Sequence, residues 1–268
     1  MSTIKLVYVD NFVDNSAFLC HSEYSCPRND MHKTPLKISQ ICKALATAIS
    51  AIFIALAVTS PIIAVTVTKN LSVKTIVVDA GHGGADGGVI GKRTGVKESD
   101  LNLKVAKLLG EYLRGGGYRV VYTRRNDTMH THPRVHDNKK RADMFKRGDI
   151  INAASPCAVV SVHMNFYSSA SRRGAQVFFD RSRDDGRQFA EIMQSVINRE
   201  INADNGGREY SALSAEKYLL SCSPYPTVIV ECGFLSNPFD EANLVNPDYQ
   251  ALVAHALYLG VEEFLNAA

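Results

Sequence analysis

The stretch "KTIVVDAGHGGADGG", residues 74 to 88, runs an apolar, β-branched segment straight into a glycine cluster built around His82. A short apolar run ended by glycines reads as a buried strand. Glycines let the backbone turn tightly and approach another group closely. Two kinds of site use such a turn. One is a phosphate cradle lined by amide N–H groups. The other is a histidine that stands unobstructed at a strand end. A phosphate cradle calls for a Lys-Ser/Thr pair or a full dinucleotide fingerprint at this first turn, and neither is there. The histidine reading survives.

Outward from this strand the chain alternates. From Ser99 to Leu113 apolar residues recur at helical spacing, as Leu101, Val105, Leu108, Leu109 and Tyr112. "GGG" at 115–117 stops that helix, and "YRVVYTR" (118–124) is a second strand. A charged helix over 138–153 precedes a third strand, "CAVVSVH" (157–163), and "GAQVFF" (174–179) is a fourth. A helix over about 184–202, a short strand "KYLLS" (217–221), the apolar strand "TVIVECG" (227–233) and a helix over about 248–266 complete the pattern. The expected fold class is α/β. Residues 74–268 should form an open, mostly parallel twisted sheet of about six strands with helices on both faces.

Before this domain lies "ALATAISAIFIALAVTSPIIAVTVT", residues 44–68, without a charged side chain. Its 25 residues exceed the roughly 20 that cross a bilayer as a helix. A transmembrane helix is therefore expected, as a retained anchor or a cleaved signal. Arg28, Lys33, Lys37 and Lys43 precede it, against Lys69 and Lys74 after it. The positive-inside rule then leaves residues 1–43 in the cytoplasm and sends the domain, behind a linker at 69–73, outside the membrane. Met31 opens a more ordinary basic leader, "MHKTPLKISQICK", so residues 1–30 stand open as a misassigned start.

A net charge of +3, with no basic stripe interleaved with aromatics, gives no sign of nucleic-acid binding. On the exported side only Cys157, Cys222 and Cys232 remain, an odd number that allows at most one internal disulfide. Cys157 and Cys232 adjoin apolar runs and read as small buried hydrophobes.

In such a sheet, functional residues gather at the carboxyl ends of the strands. Those ends carry His82 after the first strand, His163 closing "VVSVH" and Glu231 closing "VIVE". Glu98, in "GVKESDLNL", opens the first helix. Two imidazoles and a carboxylate are the ligand chemistry of a catalytic zinc site, and the remaining glutamate can take a proton from water. Each residue has a plainer reading, as a structural histidine or a helix-start carboxylate. Glu231 resists it, because an acid directly after "TVIV" is buried at a cost unless a cation or donors lie near.

"IVVDAGHGGADGG", "KESDLNL", "VVSVHMN" and "VIVECGFLSNP", in this order and spacing, resemble the zinc-dependent N-acetylmuramoyl-L-alanine amidases of the amidase-3 type over about residues 74–266. The resemblance implies Zn2+ held by His82, Glu98 and His163, with Glu231 as catalytic acid/base. It implies peptidoglycan as substrate, cut at the amide between N-acetylmuramic acid and L-alanine of the stem peptide. The compact domain behind a hydrophobic segment is similar to the sporulation members of that family, which implies a role in forming spore-cortex muramic δ-lactam.

Several residues near these motifs keep two readings. Asp79 orients a ligating imidazole or bonds amides of the glycine loop. Asn165 bonds substrate or does not, and Phe234 walls the groove or packs. The histidines of "HTHPRVH" (130–136) read as a solvated rim, and Arg141 and Arg147 as substrate contacts or a solvated helix face. Two further functions compete. A Cys232–His163 thiol hydrolase needs both groups in one site, yet strand alternation turns Cys232 away from Glu231. A non-catalytic wall-binding module, or one that needs an activating partner protein to hold zinc, is the third.

Overall fold

The structure is a computed structural model that describes Lys43 and residues 45–51, 73–204 and 208–267. Lys43 and residues 45–51 are helical. The rest of the expected span at 44–68 lies outside the described residues, and among those described no helix is long and apolar enough to cross a membrane. Leu71–Ala268 makes one compact unit.

That unit is built on a six-stranded sheet in the order β2-β1-β3-β6-β4-β5. The strands are β1 (Thr75–Ala80), β2 (Arg119–Tyr122), β3 (Ala158–Asn165), β4 (Gln176–Phe179), β5 (Leu213–Ser214) and β6 (Thr227–Phe234). The pairs β1–β2, β1–β3 and β3–β6 are parallel, whereas β4 runs antiparallel to β6 and carries β5 parallel to itself. The helices are α1 (Glu98–Gly115), α2 (Lys139–Ala154), α3 (Asp184–Ile197), α4 (Tyr218–Ser221), α5 (Pro238–Leu244) and α6 (Pro247–Ala267). A π-helical turn, Asn198–Asn202, prolongs α3.

Alternation along the strands divides the core. Ile76, Val78, Val160, Val162, Val228 and Val230 enter one large cluster with side chains of α1, α3 and α6. Val77 and Val159 turn the other way, meeting Ile151 of α2 and Leu219 of α4 in a small second cluster. Helices thus cover both faces, as the apolar strands require. The face toward α2 has the smaller apolar cluster, and that is where polar residues collect.

One expectation needs correction, and one helix adds to those expected. "KYLLS" does not form a strand: Tyr218–Ser221 is one helical turn that buries Leu219 and Leu220, and the sixth strand is the dipeptide Leu213–Ser214. The carboxy-terminal helix is preceded by α5, which starts at Pro238 after Asn237. Asn237 caps it by accepting from the amides of Phe239 and Asp240, and proline suits a first helical position.

Candidate active site

The strands place the functional side chains at their carboxyl ends on the α2 side. His163 and Glu231 stand directly opposite in the parallel β3–β6 register. His82 follows the end of β1 by two residues, and Glu98 is the first residue of α1. His82 has φ of 59°, a left-handed backbone that is uncommon outside glycine and tends to persist where a site holds it. The glycine cluster also has a steric cause. A Cβ on Gly81 would overlap the His163 ring, and one on Gly88 (φ +68°) would strike the Glu98 carboxylate. These positions are bare because site side chains occupy the space.

The four predicted residues do converge. His82, Glu98 and His163 each offer a ligand atom, all within 4.8 Å of one another. Glu98 Oε1 lies 2.9 Å from His163 Nδ1 and 3.2 Å from His82 Nε2, and also accepts from Asn102 and the Met164 amide. The two imidazole rings meet edge to face at 5.1 Å. Burial would raise the Glu98 pKa, but hydrogen bonds and charge from both histidines hold it far below the usual carboxylate range. Two nitrogen donors and one anionic oxygen converging on a common point fit a zinc-type cation. Among the described residues this is the one such group.

Glu231 faces the same cavity, about 560 Å³, which is also lined by Asp86, Lys140, Asn165, Phe166 and Lys217. Its Oε2 is buried and has no hydrogen-bond partner among the described residues. Burial raises its pKa and the Glu98 charge adds to that, against the opposing pull of His163 and His82. A carboxyl kept readily protonatable suits acid–base work.

Cys232 points into the opposite core at 1% exposure, its Sγ–H directed at the Val230 carbonyl, and burial pushes its thiol pKa up. The His163 imidazole lies on the other face of the sheet, which removes the thiol-hydrolase alternative. Phe234 is likewise buried and packs instead of walling the cavity.

Sequence reasoning missed the frame behind the site. Asp79 neither orients an imidazole nor serves the glycine loop. It accepts from Thr123, Ser161 and Arg147 at 2.5, 2.5 and 2.6 Å. Arg147, expected at the surface, is wholly buried. It donates to Asp143 at 2.8 Å, to the Ala80 carbonyl at 2.7 Å and to the His82 carbonyl at 2.6 Å. Arg124 adds bonds to the carbonyls of Ala80, Gly81 and Ser99. Two buried guanidiniums therefore hold the backbone that presents His82. A carboxylate does stand behind His82, but it is Asp86: its Oδ2 lies 2.9 Å from Nδ1, though out of hydrogen-bond alignment, and 3.0 Å from Lys140. The 130–136 segment is a solvated rim only in part: His136 and residues 131, 133 and 134 are exposed, whereas the other two histidines are held by partners. His132 is buried with Nε2 3.0 Å from Asp149, and His130 Nε2 meets the Thr123 carbonyl at 2.7 Å. Arg141 is exposed and stacks over Phe145. Asn165 lines the cavity, where its Oδ1 accepts from the Phe166 amide.

Fold and site together define an α/β protein with a His-Glu-His group at the carboxyl edge of its sheet and the Glu231 carboxylate beside it. Comparison with known proteins specifies the family. The amidase-3 family model, N-acetylmuramoyl-L-alanine amidase, matches residues 76–263. The germination-specific N-acetylmuramoyl-L-alanine amidase of Bacillus subtilis is 33% identical over 193 residues, covering 71% of this chain and 79% of that relative. The CwlD amidase of Clostridioides difficile, solved in complex with the GerS lipoprotein, superposes with a TM-score of 0.68 at 29% identity. That match covers 73% of this chain and all of the other. An N-acetylmuramoyl-L-alanine amidase of Clostridium difficile 630 gives 0.64 at 28% identity over 73% of this chain and 98% of the other. The chain belongs to the amidase-3 family and is an N-acetylmuramoyl-L-alanine amidase, a hydrolase of peptidoglycan.

Proposed function

We propose that this amidase is zinc-dependent, with His82, Glu98 and His163 holding the metal and Glu231 moving the proton. The observation that supports it most directly is the meeting of two imidazoles on one oxygen of Glu98, beside the unpartnered Oε2 of Glu231. Zinc, when bound, supplies Lewis-acid polarisation of the scissile carbonyl and lowers the pKa of water toward about 7. Glu231 accepts a proton from water as the oxygen adds to the lactyl carbonyl carbon. It then delivers that proton to the alanine nitrogen as the C–N bond breaks, giving a free lactyl carboxyl group and a free amino group. The Arg147 and Arg124 hydrogen bonds keep the His82 segment in place through these steps.

Purified residues 71–268 are expected to retain about one zinc equivalent and to lose activity with a chelator. Replacing His82, Glu98 or His163 by Ala should lower both metal retention and turnover. Glu231→Gln should keep the metal and lose about 10²–10⁴-fold in turnover. Full activity after metal removal would reject the proposal, and an emptied site in Glu231→Gln alone would exchange the roles of the two glutamates.

The relatives support two finer readings. One relative is germination-specific and another was solved with a lipoprotein, so we assign this chain to spore-cortex δ-lactam formation with an activating lipoprotein partner. Cortex from spores lacking the protein should be depleted in muramic δ-lactam, and an unchanged content by muropeptide analysis would remove that role. Residues 44–68 then anchor or export the domain to the wall side of the membrane.

A further inference from the structure

Two loops and the turn that leads from β6 into α5 form one stitched ledge beside the cavity. Residues 90–97, 166–174 and 234–241 are joined through three polar side chains of the last. Glu241 accepts from the amides of Arg93 and Thr94 at 2.9 and 2.7 Å, and from the Thr94 hydroxyl at 2.7 Å. Asp240 accepts from the amides of Gly174 and Phe234 at 2.8 and 2.9 Å. Asn237 donates to the Ala170 carbonyl at 2.6 Å. Both carboxylates of the ledge are thus turned inward, each residue 1% exposed.

What remains outside is cationic and aromatic. Lys92, Arg93, Arg172 and Arg173 belong to these loops, and none makes an ion pair among the described residues. Phe166, Tyr167 and Phe239 stand 39%, 44% and 47% exposed. Lys92, Arg172 and Arg173 lie over these three rings in that order, at 5.1, 4.4 and 5.4 Å from the centroids. Phe166 also lines the cavity, so the ledge begins at its mouth.

We propose that the Phe166–Tyr167–Phe239 ledge, with Lys92, Arg93, Arg172 and Arg173, binds the peptidoglycan strand next to the unit being cut. This rests on the peptidoglycan amidase activity. The strand presents pyranose rings, whose C–H groups pack on the aromatic surface that these rings leave exposed beside the cations. Its stem peptides carry carboxylates, which guanidinium forks bind well. A surface with these four basic side chains and its two acids buried complements that polymer in charge. A small soluble fragment would occupy the cavity alone, whereas polymer would occupy both.

The test compares a soluble disaccharide-peptide with teichoic-acid-free sacculi, using Tyr167→Ala/Phe239→Ala and Arg172→Gln/Arg173→Gln proteins whose melting temperatures match the parent. The ratio of polymer to fragment turnover should fall about tenfold, the scale of losing one interface contact of 1.4 kcal/mol. Sedimentation with sacculi, in a Glu231→Gln background, should weaken in parallel and fade as salt is raised. An unchanged ratio and unchanged sedimentation would overturn the proposal. So would binding that follows phosphatidylglycerol vesicles with the same residue dependence, which would reassign the ledge to a lipid surface. A parent enzyme inert on both substrates would instead count against the amidase activity, while sedimentation would still read the ledge.

Discussion

Asp79 and Arg147 show how a single buried pair serves the site without touching substrate. Burial pushes the Asp79 pKa up, but the Arg147 charge and the hydroxyls of Ser161 and Thr123 prevail and hold it at about 2, below the ordinary 3.8. A carboxylate depressed in the folded state stabilises fully above its unfolded pKa, and that contribution disappears as pH falls through the folded value. The relevant window is therefore from about pH 4 down to 2. Asp79→Asn leaves Arg147 buried with Asp143 as its remaining ionic partner, which should cost on the order of 3–5 kcal/mol at neutral pH. The gap between wild type and variant should shrink as acid protonates Asp79 in the wild type. Urea unfolding from pH 7 to 3 measures this. A gap that widens toward pH 3 would contradict the assigned charge state.

At the same scale, what the sequence disclosed has a clear boundary. His163 and Glu231 were legible because each stands at the end of a recognisable strand, His82 because it follows β1 within the glycine cluster, and Glu98 because it opens the helix after β1. Arg147 was not, since a charged helix normally faces water and nothing local reveals a buried carboxylate 68 positions away. Asp86 hid inside the glycine cluster for a similar reason. Two plausible acids stood near His82, and only the folded loop puts Asp86 behind the ring while Asp79 turns to α2.

Helices were read by period and strands as short apolar runs, and neither signal has a direction. That reading found β1, β2, β3, β4 and β6, yet could not say that β4 runs against β6. It also misread "KYLLS", whose apolar pair Leu219 and Leu220 fits one helical turn as well as two strand positions. The two residues of β5, both exposed, carry no apolar signal at all, so only their pairing with β4 defines them. The split between α5 and α6 had a visible mark in "SNPF", an asparagine cap followed by proline. The pairing of His163 with Glu231 follows from parallel adjacency of β3 and β6, which the order of strands in sequence does not give.

For the whole molecule, the proposed topology limits where the enzyme can work. A retained span at 44–68 would leave a linker of about five residues, each reaching at most about 3.3–3.6 Å when extended. The catalytic unit would then act only on wall strands close to its membrane. Protease added outside intact cells should digest residues 71–268, and protease confined to the cytoplasmic side should not. The reverse pattern would reject the orientation, and free domain in the medium would show a cleaved signal.

The sheet itself ends in two very short borders, four residues of β2 on one side and two of β5 on the other. A long bare border strand offers unpaired amides and carbonyls to any neighbouring chain and so seeds aggregation. Here the long strands β3 and β6 lie inside and each is paired on both sides. Copies crowded onto one polymer therefore have little backbone on which to nucleate edge-to-edge stacking.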